Sequence, residues 1–233
     1  MQMDVNMKNL EELARTEELP VRAASLAEQA YATLKRWILS GELDEDTVLS
    51  ENDLSRRLSI SRSPLREAIR KLQDEGLLAA SGPRGFGITR ISPDLIDQVY
   101  GVRLALETEA ASHAHSIPAD DLRRMRGIME EIRPEVMAGR PERFTEIDFD
   151  FHDLFVRNCG NPLLISYIER LRGHIQRILV YSGKLDQHSI LSFEEHMEIL
   201  EAMEDQDQER IEATVRQHIT GVRDRLRAAI SSP

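Results

Sequence analysis

Apolar residues recur every three or four positions near the start of the chain, a pattern that predicts an amphipathic helix. Ala27, Leu34 and Ile38 share one face of this helix. Ser25 followed by Glu28 is a capping-box signature, because the serine can cap the helix while the glutamate reaches back to the serine amide. These features predict a first helix that begins directly after Ser25.

A second and a third helix are predicted a few residues apart. Ser50 marks the start of the second helix, in which Leu54 and Leu58 face inward. After a short break at residues 59–61, a third helix begins with Pro64 in its first turn, where the missing N–H costs nothing. The predicted buried face of this helix consists of Leu65, Ala68, Ile69 and Leu72. Two helices at this spacing are typical of a helix-turn-helix.

Two short apolar segments then flank a turn rich in glycine and containing a proline, which predicts a β-hairpin that would serve as a wing. The segments are residues 77–80 and 88–91. From Asp94 onward the pattern is helical almost throughout and predicts six or seven helices. We therefore expect a mainly α protein, with a winged helix-turn-helix joined to an all-α bundle. The predicted divisions are an N-terminal arm (1–24), a DNA-binding domain (25–91) and a helical domain (92–230).

Composition narrows the class of protein. Hydrophobic residues make up 41% and charged residues 30% of the 233 residues, which is typical of a soluble globular chain. No apolar run reaches the roughly 20 residues that a membrane span requires, so no membrane partner is expected. The single cysteine, Cys159, excludes an intrachain disulfide and favours the reducing cytoplasm.

Charge is distributed unevenly along the chain. The net charge is -11, but residues 56–90 contain eight basic and only three acidic residues. A basic segment in an acidic protein is typical of a phosphate-binding module attached to a domain that does not bind nucleic acid. A solvated charged helix would give the same local charge, so charge alone does not decide between the two.

The third helix has a stripe of arginines opposite its apolar face. Arg62, Arg66 and Arg70 are spaced four residues apart, and a guanidinium can bind a guanine edge or a phosphate with two hydrogen bonds. Surface ion pairs are the alternative explanation of this stripe. With a preceding helix, a tight turn and a wing, we favour DNA contact. The predicted DNA-binding residues are Ser61, Arg62, Ser63, Arg66, Arg70, Arg84 and Gly85.

The first third of the chain resembles the winged-helix domain of GntR-type bacterial regulators. The similarity lies in ILSGEL (38–43), LSRRLSISRSPLREAIRKL (54–72) and EGLL (75–78). The chain departs from the family pattern at Glu45-Asp46, where Pro-Gly is usual, and at Asn52, where some members have an arginine that contacts DNA. These departures concern the operator sequence that is recognised, and DNA binding itself is still implied.

Four side chains in the helical domain have the chemistry of a metal site. Asp148 and His152 are four residues apart on one predicted helix, and His196 and His218 each lie among apolar residues at helical spacing. Such residues can converge inside a bundle, and one aspartate with three histidines suits zinc, nickel, manganese or iron. Spacing alone is a weak indication of such a site. We interpret the other histidines as surface or satisfied helix residues: His113, His115, His174 and His188.

Residues 95–228 resemble the FCD ligand-binding domain of the FadR branch of the same family. The matching segments are 102–107, 148–163 and 195–203, followed by His218. The resemblance implies that Asp148, His152, His196 and His218 hold one divalent transition metal per chain, with zinc expected first. It also implies an effector pocket near Arg103.

An open coordination position beside an arginine favours a small carboxylate effector, such as a sugar acid, a hydroxy acid or a dicarboxylate. Arg172 and Arg177 are further candidates for effector contact. We expect a homodimeric regulator that binds a near-palindromic operator in double-stranded DNA. Repressor and activator both remain open, and we favour a repressor. Two alternatives remain: a metal-dependent hydrolase with Glu194 or Glu195 as its base, and a metal that only joins helices.

Overall fold

A computed structural model describes residues 24–43, 48–81, 85–182 and 188–231, so most of the predicted arm lies outside the described residues. The predicted mainly α fold is confirmed. The helices of the described residues are α1 (Leu26–Leu39), α2 (Glu51–Leu58), α3 (Arg62–Asp74), α4 (Pro93–Ala111), α5 (Ala119–Met137), α6 (Glu142–Val156), α7 (Pro162–Ser182), α8 (His188–Glu204) and α9 (Gln208–Ser231). A short 3-10 turn spans Ala114–Ser116, and the strands are β1 (Leu78–Ser81) and β2 (Gly85–Ile88).

The helix starts follow the predicted caps. Ser25 accepts a hydrogen bond from the Glu28 amide, and the Glu28 carboxylate accepts one from the Ser25 amide at 2.7 Å, so the capping box is confirmed. At the start of α2, Ser50 accepts from the Asp53 amide. Such caps satisfy amides that have no partner within the helix, and each stabilises it by about 1 kcal/mol.

The turn between α2 and α3 sets the angle of the helix-turn-helix. Ser59 lies in the left-handed region at φ 53°, and the Ser55 hydroxyl donates to the Ile60 carbonyl at 2.6 Å across the turn. The inner faces of α1, α2 and α3 meet through Leu34, Leu54 and Leu65, which are nearly inaccessible to solvent. Because these leucines anchor the buried side of α3, its arginine stripe is directed outward.

The hairpin is shifted from the predicted position. β2 begins at Gly85, three residues earlier than expected, and the antiparallel pairing places Leu78 opposite Ile88 and Ala80 opposite Phe86. Phe86 is buried and its backbone also pairs with Leu49. The glycines around Phe86 suggested a turn, but burial of that ring draws the segment into the sheet instead.

The helical domain has its own apolar core. α9 packs most extensively against α4, α8 lies between α9 and α5, and α6 contacts both α4 and α5. Its buried residues form a cluster separate from that of the winged helix, with Phe151, Phe155 and Phe193 fully enclosed. Among the helices described, none is both long enough and apolar enough to cross a bilayer.

A contact between the two parts of the chain forms where α3 ends. His174 Nε2 of α7 lies 2.9 Å from the carbonyl oxygen of Glu75, and only a donor nitrogen satisfies that oxygen. Gly76 follows at φ +70°, and a Cβ there would lie 3.0 Å from His174 Nε2. The Glu75 carboxylate accepts from Tyr31 at 2.6 Å and from Lys35 at 2.9 Å. One residue thus links α1, α3 and α7.

His174 is expected to make folding stability fall as pH decreases. Burial lowers the pKa of His174 from its ordinary value of 6.5, and the Glu75 carbonyl offsets this in part. The unfolded chain therefore binds the proton more readily, so the contribution of His174 is fully present above the unfolded pKa and is lost as pH falls below it. We expect His174→Gln to lose less stability than wild type between pH 7 and pH 5 in urea unfolding. Far-UV circular dichroism of both proteins at pH 7 checks that His174→Gln is folded, and an equal loss in His174→Gln and wild type would contradict the assignment.

Candidate metal centre and nucleic-acid interface

The predicted DNA-reading residues of α3 lie together on an exposed face. Arg62, Arg66 and Arg70 are all exposed, and Arg66 Nε donates to Glu51 at 2.8 Å. Arg66 and Arg70 line an open groove bordered by the start of α2 and by the hairpin. Such a groove, with two guanidinium groups on its wall, can accommodate a phosphate backbone or the edge of a base pair.

The start of α3 offers donors without competing acids. Ser61 is the N-cap residue, its side chain makes no capping hydrogen bond, and no acidic residue lies in the first turn. Ser63 is exposed beside it. Since the first amides of a helix lack internal partners and lie at the positive end of the helix dipole, this end suits a phosphate.

Of the two predicted wing residues, the structure describes only Gly85. Arg84 lies outside the described residues. Gly85 begins β2, where a Cβ would lie 2.8 Å from Val48 Cγ1 and 3.0 Å from the Ser81 carbonyl oxygen. The absence of a side chain at Gly85 is therefore explained by close packing of the hairpin, whether or not its backbone contacts DNA.

In the helical domain, the three predicted histidine ligands converge. His152 of α6, His196 of α8 and His218 of α9 are buried, and each offers a ring nitrogen within 4.8 Å of the other two. His196 Nε2 lies 3.2 Å from both His152 Nε2 and His218 Nε2. In a tetrahedral zinc site with Zn–N bonds of about 2.0–2.1 Å, ligand nitrogens are about 3.3 Å apart, close to these spacings.

Carboxylates behind two of these rings determine which nitrogen faces the centre. Glu195 Oε2 lies 2.8 Å from His218 Nδ1, and Glu107 Oε2 lies 2.6 Å from His152 Nδ1, although the second contact is bent from hydrogen-bond geometry. An ionised carboxylate only accepts, so Nδ1 carries the proton in both rings and Nε2 presents its lone pair inward. His196 Nε2 lies between these two lone pairs. With its proton on Nε2, His196 can donate to only one of them, and with its proton on Nδ1 it presents a third lone pair.

Asp148, the fourth predicted ligand, lies beside the histidine cluster but outside the group whose ligand atoms all lie within 4.8 Å of one another. Asp148 Oδ1 lies 3.9 Å from His196 Nε2, and Asp148 Oδ2 is buried without a hydrogen-bond partner among the residues that the structure describes. A buried carboxylate oxygen without a partner is costly, and a cation would satisfy it. One carboxylate and three inward nitrogen lone pairs therefore fit a divalent transition metal.

Electrostatics favour the neutral form of His196 and of His218, and the charged form of Glu107. Burial lowers the pKa of His196 well below its ordinary value, and the neighbouring His218 and His152 lower it further. Burial also lowers the pKa of His218. Burial alone would raise the pKa of Glu107, but Arg103 and His152 overcome that effect and lower it to about 2. Neutral imidazole is the form that binds a metal.

A narrow cleft adjoins the histidine cluster, and its cavity volume is about 20 Å³, enough for about one water molecule. Polar residues on its wall are Tyr100, Arg103, Asp148, His188, Ser192 and His218. Burial raises the pKa of Tyr100 to about 12, so its hydroxyl keeps its proton. Cleft and cluster share Asp148 and His218, so a ligand in the cleft would lie beside a metal bound there.

The three predicted effector arginines are placed differently. Arg103 lines the cleft, while its Nε donates to Glu107 at 2.5 Å. Arg172 contacts Asp153 at 2.6 Å and lies over the ring of Phe149. Arg177 is buried on the same helix as Arg172. Neither Arg172 nor Arg177 is among the described residues that line the cleft, so Arg103 is the one the structure brings to it.

Sequence reasoning missed residues that support the cluster. The sequence indicates Glu195 only as the candidate base of a hydrolase and Glu107 only as part of a segment that resembles the family, because only the fold brings them behind His152 and His218. His188, interpreted as a surface or satisfied residue, is buried on the cleft wall, and its Nδ1 has no hydrogen-bond partner within the described part of the chain. Burial lowers the pKa of His188 to about 4. An apolar neighbourhood at helical spacing was the only available signal, and it did not separate His188 from a core histidine.

Comparison with known proteins accounts for both parts of the chain. Residues 26–88 match the family model described as bacterial regulatory proteins of the gntR family, and residues 98–221 match the FCD domain. The chain is 29% identical to the HTH-type transcriptional regulator YdhC of Bacillus subtilis (strain 168) over 194 residues, covering 82% of this chain and 86% of that protein. It is 26% identical over 201 residues to the HTH-type transcriptional repressor RspR of Escherichia coli (strain K12), covering 86% and 88%.

A solved structure shares the fold. The E. coli McbR/YncC structure superposes with a TM-score of 0.70 at 20% sequence identity, covering 89% of this chain and 99% of that chain. At this identity the similarity establishes the architecture, and the two family matches establish the lineage. The chain is a DNA-binding transcriptional regulator that belongs to the GntR family, in the group that carries an FCD domain.

Proposed function

We propose that this protein is a repressor whose affinity for its operator is controlled by a small carboxylate bound beside a metal in the helical domain. The observation that carries the proposal is the convergence of three buried histidine nitrogens and Asp148 at a cleft whose wall includes Arg103. Residues 25–91 would bind DNA and residues 92–230 would bind metal and effector, in the cytoplasm.

The DNA-binding part rests on the exposed stripe of α3. Ser61, Ser63 and the three arginines would position the helix in a major groove, with Arg84 and Gly85 of the wing reaching an adjacent groove. Two such heads in a homodimer would bind two half-sites, because a two-fold protein requires a two-fold site. RspR carries the name of a repressor, which supports the same sign of regulation for this chain.

The metal would be held by Asp148, His152, His196 and His218. When bound, it would supply a Lewis-acidic position that accepts an oxygen ligand. Zinc suits nitrogen-rich sets with three or four protein ligands, and nickel, manganese or iron suit a higher coordination number with open positions.

Charge favours an anionic effector. Arg103 and Glu107 cancel one another, as do Arg225 and Glu195, which are joined at 2.6 Å. Asp148 and a divalent ion then leave one positive charge beside the cleft. A carboxylate neutralises that charge and can accept from Arg103, while hydroxyl groups of a sugar acid or hydroxy acid can pair with Ser192 or His188.

A hydrolase is disfavoured by the position of its proposed base. Glu195 accepts from His218 and from two nitrogens of Arg225, so its oxygens are occupied. Glu194 is exposed on the same helix, away from the buried cluster. The exposed arginine stripe of α3 would also have no role in hydrolysis.

The proposal is tested on full-length protein with DNA selected from a random pool. We expect one class among sugar acids, hydroxy acids and dicarboxylates to weaken DNA binding of the zinc-loaded protein by about 5- to 150-fold. Fluorescence anisotropy measures the affinity. Asp148→Ala should still bind DNA but should lose the response. A response that persists after the metal is stripped would exclude metal-dependent control, and a metal that changes only thermal stability would favour a structural role.

A further inference from the structure

One carboxylate behind the histidine cluster is held more firmly than an ordinary surface acid. Glu195 of α8 accepts from Arg225 Nη1 at 2.6 Å and from Arg225 Nη2 at 2.8 Å, which is a two-point contact across to α9. Its Oε2 also accepts from His218 Nδ1 at 2.8 Å. Paired bonds of this kind fix the direction of a carboxylate as well as its charge.

The backbone of α9 leaves room for this pair. Gly221 lies one turn before Arg225, and a Cβ there would lie 3.1 Å from Arg225 Nη1 and 3.3 Å from Glu195 Oε1. Glycine within a helix costs about 0.5–1 kcal/mol relative to alanine. The space that the Glu195–Arg225 pair occupies gives a physical reason for a glycine at position 221 despite this cost.

The same arginine reaches the cleft wall. Arg225 Nη2 donates to the Ser192 hydroxyl at 3.2 Å, and Ser192 lines the cleft. Ser192, Arg225, Glu195 and His218 therefore form a continuous chain of hydrogen bonds from the cleft to the histidine cluster. No described residue forms a hydrogen bond with His196 Nδ1, and the His196 ring is stacked on Phe151 at 4.0 Å between centroids.

We propose that Glu195, anchored by Arg225 in the space left by Gly221, is a positioning residue that holds His218 with Nε2 directed into the cluster. Glu195 does not touch the centre itself. It fixes the His218 tautomer and ring orientation, as carboxylates behind metal-bound histidines do. The expected effect of Glu195 on metal affinity rests on the proposed metal-binding function. Its effect on the His218 tautomer applies equally to metal-free protein.

Two readouts test the proposal on the full-length chain. In metal-free protein, the ¹⁵N shifts of the His218 ring should report a proton on Nδ1 in wild type and a loss of that preference in Glu195→Ala. Zinc affinity, measured by competition with a chelating dye, should fall by about 10- to 100-fold in Glu195→Ala. Glu195→Gln, which retains an acceptor without the charge, should fall between wild type and Glu195→Ala.

The neighbouring Glu194 provides a matched control, since Glu194→Gln removes the same charge from an exposed position of the same helix. Gly221→Ala keeps every charged group and should lower zinc affinity only by crowding the pair. Thermal unfolding of the metal-free variants shows whether each is folded, and Glu195→Gln and Gly221→Ala provide second variants if Glu195→Ala is not.

The outcomes separate the two proposals. Wild type that binds no zinc overturns the metal site, while the tautomer comparison still decides the role of Glu195. Wild type that binds zinc, with unchanged affinity and an unchanged His218 tautomer in Glu195→Ala, overturns the positioning role alone.

Discussion

Replacing His196 with alanine is expected to abolish stoichiometric metal binding. Wild type should contain about one transition metal per chain by elemental analysis, and both His196→Ala and His152→Ala should contain almost none. His196 Nε2 lies 3.2 Å from both His152 Nε2 and His218 Nε2, so His196→Ala removes the nitrogen that lies next to both other histidine ligands.

Thermal stability should also report the loss of metal binding in His196→Ala. A ligand present at about 1,000 times its Kd stabilises the folded state by about 4 kcal/mol, and about 2–4 °C of Tm accompany each kcal/mol in a chain of this size. Chelation should therefore lower the Tm of wild type by about 10 °C and leave that of His196→Ala unchanged. His115→Ala, at an exposed histidine outside the cluster, should behave as wild type. Wild type without metal, even after addition of zinc, nickel or manganese, would refute the ligand assignment.

Replacing Arg70 with alanine is expected to weaken binding to selected DNA by about 5- to 150-fold, which corresponds to about 1–3 kcal/mol. Arg70 is exposed on α3 and lines the groove between that helix and the hairpin. If Arg70 contacts a base, the loss should be confined to one position of the preferred sequence. If it contacts a phosphate, binding should weaken for all sequences and the salt dependence should become shallower by about one unit.

Arg123 supplies the control for this experiment. It is a highly exposed arginine on α5 of the helical domain, and Arg123→Ala removes the same charge far from the stripe. We expect it to bind DNA as wild type does, apart from a small general effect of net charge. Arg70→Ala should unfold within about 0.5 kcal/mol of wild type, because exposed substitutions rarely affect stability by more. Equal DNA affinity of Arg70→Ala and wild type would exclude Arg70 from the interface.

Arg70→Ala and His196→Ala also test separate parts of the regulator, the winged helix and the helical domain. Arg70→Ala should keep its metal and any effector binding, and His196→Ala should keep its winged helix. The His174 contact with the Glu75 carbonyl joins α7 to the end of α3, and Leu179 of the same helix lines the cleft. A variant that loses both properties at once would indicate that the two halves depend on each other for folding.

The helices and the chemistry that is local to each of them could be predicted from the sequence alone. Helix periodicity, Ser25 with Glu28, and the spacing of Arg62, Arg66 and Arg70 are properties of a few consecutive turns, so they can be read without a fold. The same holds for Asp148 and His152, which share a helix face. The positions of His196 and His218 among apolar residues at helical spacing made them candidates to join this pair, and the family resemblance strengthened the assignment.

Contacts between residues far apart along the chain could be identified only in the tertiary structure. Glu107 and Glu195 lie behind His152 and His218 only because α4, α6, α8 and α9 pack against one another, and no spacing along the chain encodes that proximity. Packing likewise drew Phe86 into the hairpin, turned Arg172 toward Asp153 and brought His188 to the cleft wall. Periodicity along one helix indicates which face is buried, whereas the identity of the buried partner depends on how separate helices meet.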